Sequence, residues 1–262
     1  MPLDLFDRAQ SLLFEQATQP LMVWLGLSNL LEAGYAATGW LLVGVVQIAI
    51  LIAVIGPLQH WRPVEAVTDR QAIRVDILYT LIHRLGLFRV AMFFTVEAAA
   101  FELASSLKLH GWQPLQPDQL WPGITDQPLA SFVIYLLIFD FVDYAIHRGQ
   151  HGWERWWQLH ALHHSQRQMS CWSNDRGSYL DAVLQSFILA GVAWLIGIEV
   201  DEFAALVLLS ELVQCFSHTN VRAGFGAVLE RCFVGPKFHR LHHMRADPHR
   251  PDLHNCNFGQ VL

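Results

Sequence analysis

Eleven of the chain's fourteen histidines lie between positions 147 and 254, and most of them fall into three tight clusters. The first is His147-Arg-Gly-Gln-His151, the second His160-Ala-Leu-His163-His164, the third His239-Arg-Leu-His242-His243. On a helix turning about 100° per residue, positions i, i+3 and i+4 share one face, so each cluster can aim its rings the same way. Neutral imidazoles converging on a point are what a first-row transition metal takes as ligands. His218, in Cys215-Phe-Ser-His218-Thr-Asn220, is a ninth candidate. Eight or nine histidines exceed what one ion holds; two ions at about four to six ligands each would use them.

With 14 histidines in 262 residues, one H-x-x-H-H is expected by chance about 0.04 times in such a chain, and two about once in a thousand chains. The four cysteines (Cys171, Cys215, Cys232, Cys256) form no C-x-x-C pair and lie outside the clusters. A thiolate zinc site is therefore disfavoured and free thiols are expected. The first cluster lacks the Glu of a zinc-protease H-E-x-x-H. Imidazole ligands suit iron, zinc and copper alike, so the ligand set leaves the metal open.

The elements that must carry these residues are apolar. Hydrophobic residues are 53% of the chain and charged residues only 15%, against about 25% in an ordinary soluble domain. Mean hydropathy is +0.29. The net charge of -6 and the lack of a basic run exclude a nucleic-acid-binding chain. Five apolar stretches are expected as membrane helices: 40–58, 77–104, 129–146, 180–200 and a short one at 203–217. Residues 21–31 are expected in the interface, and Trp153, Trp156 and Trp157 as an interfacial anchor. Arginines and Lys237 gather after the first, third and fifth stretches, which puts those segments in the cytoplasm by the positive-inside rule. The chain leaves and returns between the second and third clusters, so all clusters should meet on one face. The expected fold is all-α, with about four to five membrane helices and a cytoplasmic helical cap bearing the histidines. Residues 1–128 form an N-terminal membrane region and residues 129–262 the histidine domain.

The order H-x3-H, H-x2-H-H, H-x-N and H-x2-H-H, with Asp140-Phe-Val-Asp143-Tyr144-Ala-Ile-His147-Arg148, Trp157-Gln-Leu-His160 and Asn255-Cys-Asn257-Phe258-Gly259, resembles the fatty acid hydroxylase/sterol desaturase superfamily. The resemblance covers roughly residues 130–259. It implies an integral-membrane, O2-dependent di-iron oxidoreductase that hydroxylates or desaturates a lipid or sterol-like substrate. It implies metal ligation by His147, His151, His160, His163, His164, His239, His242 and His243, with His218 as a further ligand and no catalytic residue beyond the metal centre. Two departures stand out. Ser178 follows Arg176-Gly177 where many members carry histidine, which points away from the sterol and sphingolipid branches. The chain also stops at Leu262, before the family's usual ending.

Around the site, Asp143 lies one turn before His147 and is a candidate to orient its ring, since a metal-bound histidine commonly donates its other N–H to a carboxylate. Asp140 shares its face. Glu211 and Gln214 lie on the helix face of His218, Asn220 follows it, and His254 is a possible tenth ligand or substrate-side group. A carboxylate inside an apolar span is a functional candidate by default; a structural hydrogen bond to a neighbouring helix is the competing reading for Glu211. No flavin or nicotinamide fingerprint occurs, so electrons are expected from a separate reductase or carrier, with membrane lipid as substrate and the inner or endoplasmic reticulum membrane as location. The alternative is a metal-handling membrane protein, or a zinc-dependent one without redox chemistry.

Overall fold

The computed structural model describes residues 2–88, 103, 106–198 and 200–243, with side chains from residue 5 onward and excluding 200–204. His254, Cys256, the Asn255–Gly259 element and most of the 77–104 stretch lie outside the described residues. Every regular element described is helical. In chain order these are α1 (Pro2–Leu13), α2 (Gln19–Trp24), α3 (Leu31–Ile50), α4 (Gly56–Trp61), α5 (Arg70–Arg84), α6 (Pro128–Gly152), α7 (Glu154–His160), α8 (Tyr179–Ile196), α9 (Val200–Ser217), α10 (Gly226–Leu229) and α11 (Pro236–His242).

Three helical stretches among the described residues are long and apolar enough to cross a membrane: Ser28–Trp61, Pro128–Gly152 and Tyr179–Ile196. Ala205–Ser217 is a shorter apolar helix. The first stretch is longer than the 40–58 expected from sequence mainly at its start, where a 3-10 turn at Ser28–Leu30 leads into α3, and it runs on into α4 through a π turn at Leu51–Ile55. That wide turn lets Pro57 sit in the first turn of α4, where its missing N–H breaks no ladder. The Asp201-Glu202 pair falls within α9, which begins at Val200. The preceding α8 stops at Gly197, whose φ of 65° an L-residue with a Cβ adopts only with strain.

The spans pack by an inverted rule. In α3 the buried positions are small or polar: Gly34, Thr38, Gly39, Gly44 and Gln47, with Val43. Large apolar side chains such as Val45, Ile52 and Val54 face outward. Hydrocarbon solvates valine as well as a protein core does, so helices associate through close backbone approach and hydrogen bonds instead. Tyr135 and Phe139 of α6, Ile196 of α8 and Leu206 of α9 form one apolar cluster. Leu51 and Ile55 meet Cys171 and Cys215 in another. Cys171, Cys215 and Cys232 are free thiols.

α3 and α5 touch at Gly44, where a Cβ would stand 1.8 Å from the Arg84 carbonyl oxygen. The obstacle is backbone and cannot rotate away. Gly44→Val is expected to push α5 off α3 and destabilise the protein by about 1–3 kcal/mol. A thermal midpoint in detergent equal to wild type would show that the helices do not approach this closely.

Candidate metal centre

α6 outlasts its membrane-length core, and His147 and His151 project from its last two turns. Gly152 and Trp153 end it, and α7 folds back to bring in His160. A single 3-10 turn follows with His163 and His164. His218 lies just past the end of α9. α11 opens with Pro236 at its first position, which suits its fixed φ, and carries His239 and His242 with His243 at its C-cap.

These five pieces bring all nine sequence-designated histidines together. His147, His151, His164 and His242 form one group and His163, His218, His239 and His243 a second, while His160 with His163 and His164 joins them. Within the first group, Nε2 of His147 lies 3.2 Å from Nε2 of His151 and 3.1 Å from Nε2 of His242. In the second, Nε2 of His218 lies 3.1 Å from that of His163 and 2.9 Å from that of His239, and His239 Nε2 lies 3.0 Å from His243 Nε2. Imidazole–metal bonds of ~2.0–2.1 Å separate neighbouring donor atoms by about 2.9 Å at right angles and about 3.4 Å at tetrahedral angles. The observed spacings fall in that window.

The rings' far sides decide what these short contacts are. His163 Nδ1 donates to the Arg176 carbonyl at 3.1 Å, and His218 Nδ1 donates to the Gln214 carbonyl at 2.8 Å. A carbonyl only accepts, so the proton sits on Nδ1 in both rings and Nε2 keeps a bare lone pair. Two lone pairs therefore face each other across 3.1 Å. His160 repeats the pattern: Nδ1 lies 3.2 Å from Asp181 Oδ2, while its buried Nε2 has no hydrogen-bond partner among the described residues. His164 Nε2 is likewise buried without one. Burial first, and neighbouring imidazoles second, hold His163, His164, His239 and His243 well below the ordinary histidine pKa. Burial lowers His218 to about 4. Neutral rings with converging lone pairs fit divalent metal ions and little else.

The supporting shell differs in part from the sequence expectation. Asp143 lines the cavity beside the histidines but hydrogen-bonds none of them among the described residues. Asp181, at the start of α8, takes that part for His160. It is itself held by Gln150 Nε2 and Trp156 Nε1, each at 2.9 Å. Trp156 therefore turns inward rather than anchoring an interface, and Trp157 packs its ring against His151 and His164; Trp153 remains exposed. Glu211 accepts from Gln47 and from Arg84 at 2.7 Å, a bond between helices rather than to His218. Gln214 serves His218 through its backbone carbonyl. Asn220 accepts from the Val64 and Glu65 N–H groups and donates to the Glu65 carbonyl, stapling the α4–α5 loop. Asp181 sits 21 positions past His160, at no spacing that marks a partner.

A cavity of about 450 Å³ runs from the histidines into the space between α3, α6, α8 and α9. Phe139, Leu189 and Leu206 line its membrane side, and His147, His160 and His218 its other end.

The fatty acid hydroxylase profile matches residues 132–262. The chain belongs to the fatty acid hydroxylase family. It is also 27% identical over 191 residues to a protein named ornithine lipid hydroxylase OlsE, from Rhizobium tropici, covering 71% of this chain and 53% of that protein. The chain thus spans about half the length of the curated relative it matches. No solved structure matches. Within that family, the described residues combine three helices long and apolar enough to cross a membrane with histidine clusters able to bind metal.

His218 and Asp181 give separable expectations. His218→Gln removes a donor and should lower bound metal and turnover by about tenfold or more, while a helix cap alone would leave both near wild type. Asp181→Asn keeps every ligand but loses the carboxylate, and should weaken metal affinity by about 10–100-fold. Metal per chain after dialysis against a graded chelator reads both.

The buried neutral rings also set an acid limit. The unfolded chain takes up histidine protons near the ordinary value of 6.5, whereas folded His218 does so only near 4. Stability of the metal-free protein is therefore complete above pH 6.5 and lost as pH falls toward 4, by on the order of 3 kcal/mol for His218 alone. Thermal midpoints that stay level or rise on acidification through this window would contradict buried neutral imidazoles.

Proposed function

We propose that the protein is a di-iron, O2-dependent hydroxylase of a membrane lipid. The observation that carries this reading is the pair of histidine groups whose ring nitrogens converge to 2.9–3.2 Å of one another at one end of a cavity reaching between apolar helices. His147, His151, His164 and His242 would hold one iron, His163, His218, His239 and His243 the other, with His160 between them. The irons would supply the two-electron activation of dioxygen that attack on an unactivated C–H bond requires.

In the net reaction a C–H becomes C–OH with one oxygen atom of O2. The other atom leaves as water, with two electrons from a separate reductase or carrier and two protons. The chain's own residues orient and enclose. Asp181 and the Arg176 and Gln214 carbonyls fix the tautomers of His160, His163 and His218. Phe139, Leu189 and Leu206 take the apolar part of the substrate and keep water from the histidines. The likeness to an ornithine lipid hydroxylase supports an amine-bearing lipid as the substrate class, and Asp143 lies on the cavity wall. The basic residues Arg62, Arg148, Arg155 and Arg222 accompany the histidine end, which supports a cytoplasmic face for the site and for the electron donor.

Lipid extracts of cells expressing the wild type, compared with cells expressing His242→Ala, should contain a lipid heavier by one oxygen atom. Loss of two hydrogens instead would assign desaturation. Protein purified after anaerobic iron loading should hold about two iron ions per chain. Zinc in their place, with no change in any lipid, would overturn the oxidative reading.

A further inference from the structure

α5 comes from the half of the chain that holds none of the designated histidines, yet one of its faces grips the metal centre. Asp76, Thr80 and Arg84 recur every fourth residue and so share that face, and all three are buried. Asp76 Oδ2 accepts from Ser173 Oγ at 3.0 Å, and Oδ1 accepts from Arg176 Nη1 at 3.2 Å. Thr80 donates to the Trp172 carbonyl at 3.2 Å. Arg84 forks onto Asp175 with bonds of 2.9 and 3.1 Å, while its other arm reaches Gln47 of α3 and Glu211 of α9. Every contact on the loop side falls on residues 172–176. That segment ends in the Arg176 carbonyl, the group that accepts the His163 Nδ1 proton.

The chemistry of the grip is informative because a cheaper one exists. A buried carboxylate and guanidinium lose hydration that their pairing only roughly recovers, and apolar packing would hold a loop against a helix at least as well. What bidentate polar contacts add is direction: they fix where a backbone segment lies and which way its carbonyls point. His163 needs that direction. If the Arg176 carbonyl turns away, the ring is released to place its proton on Nε2, and one ligand of the His163–His218–His239–His243 group disappears.

We propose that Asp76 and Arg84 are positioning residues of the metal centre, holding residues 172–176 so that the Arg176 carbonyl keeps His163 in its ligating tautomer. The proposal rests on the metal-centre reading above. Its specific consequence is selectivity: the group containing His163 is affected, and the group of His147, His151, His164 and His242 is not.

The test uses the full chain in detergent, loaded with cobalt(II), whose visible ligand-field bands report each site's donor set. The wild type should bind about two ions per chain. Asp76→Asn and Arg84→Lys should each bind about one, with the bands of one site lost, at unchanged helical circular dichroism and elution volume. Arg176→Gln removes the same ion pair from its less buried end, and carries the same expectation should Asp76→Asn fail to accumulate as folded protein. Two ions with unaltered bands in the variants would overturn the proposal. So would loss of both ions in step with the folded fraction, which is what a merely structural role predicts. A wild type that binds no cobalt at all would overturn the metal-centre reading itself, and the proposal with it.

Discussion

The His163–His218 contact governs the site. Two ring nitrogens, each with its proton held on the opposite side by a backbone carbonyl, stand 3.1 Å apart. Facing lone pairs repel inside a buried space, and a cation between them would turn that repulsion into attraction. The arrangement persists because the rings' other contacts over-determine it. The outer hydrogen bonds of His160, His163 and His218 each select a tautomer, and each selected tautomer turns a lone pair inward toward the neighbouring rings. Protonation would relieve the repulsion, but burial opposes it.

Holding such a site demands rigidity from polar contacts in a protein whose helices offer little hydrophobic drive to associate within lipid. The spans meet through small residues on α3 and through a buried chain of Gln47, Arg84, Glu211 and Asp175. At the end of the first span, Gln59 accepts from the N–H groups of both Cys171 and Asn220. Gln168 accepts from Thr68 and Asp69 and donates to the Ala66 carbonyl. The N-terminal half thus reaches the histidine segments through side-chain amides and carboxylates, each satisfied by named partners.

Much of the site was legible in the sequence because ligation depends on side-chain identity at helical spacing. The three clusters and His218 stand out on those grounds, and the structure gathers all nine rings. The supporting shell was hidden for the opposite reason. Asp181 meets His160 across two helices, and the groups serving His163 and His218 are backbone carbonyls, which no residue type announces. Asp143, Glu211 and Gln214 were singled out by sharing a helix face with a histidine. Sharing a face on one helix says nothing of what the next helix presents: Glu211 finds Arg84 there, and Asp143 finds the cavity. In the fold, apolar runs locate the spans, while the first span begins well before its apolar core because the helix already runs from Ser28 through Glu32.

The unbroken run from Ser28 to Trp61 acts as a ruler. At 1.5 Å per residue its 34 residues measure about 51 Å, against ~30 Å of hydrocarbon. Gln59, near its end, ties directly to the segments bearing Cys171 and Asn220. The distance of the histidine rings from the start of that helix is therefore set by a count of residues, and at a given tilt so is their height above the bilayer centre. In a thinner membrane the same rings stand farther out among the headgroups, and in a thicker one nearer the acyl chains. For the lipid hydroxylase proposed above, bilayer thickness would then be a determinant of which carbon of a bound lipid lies within reach.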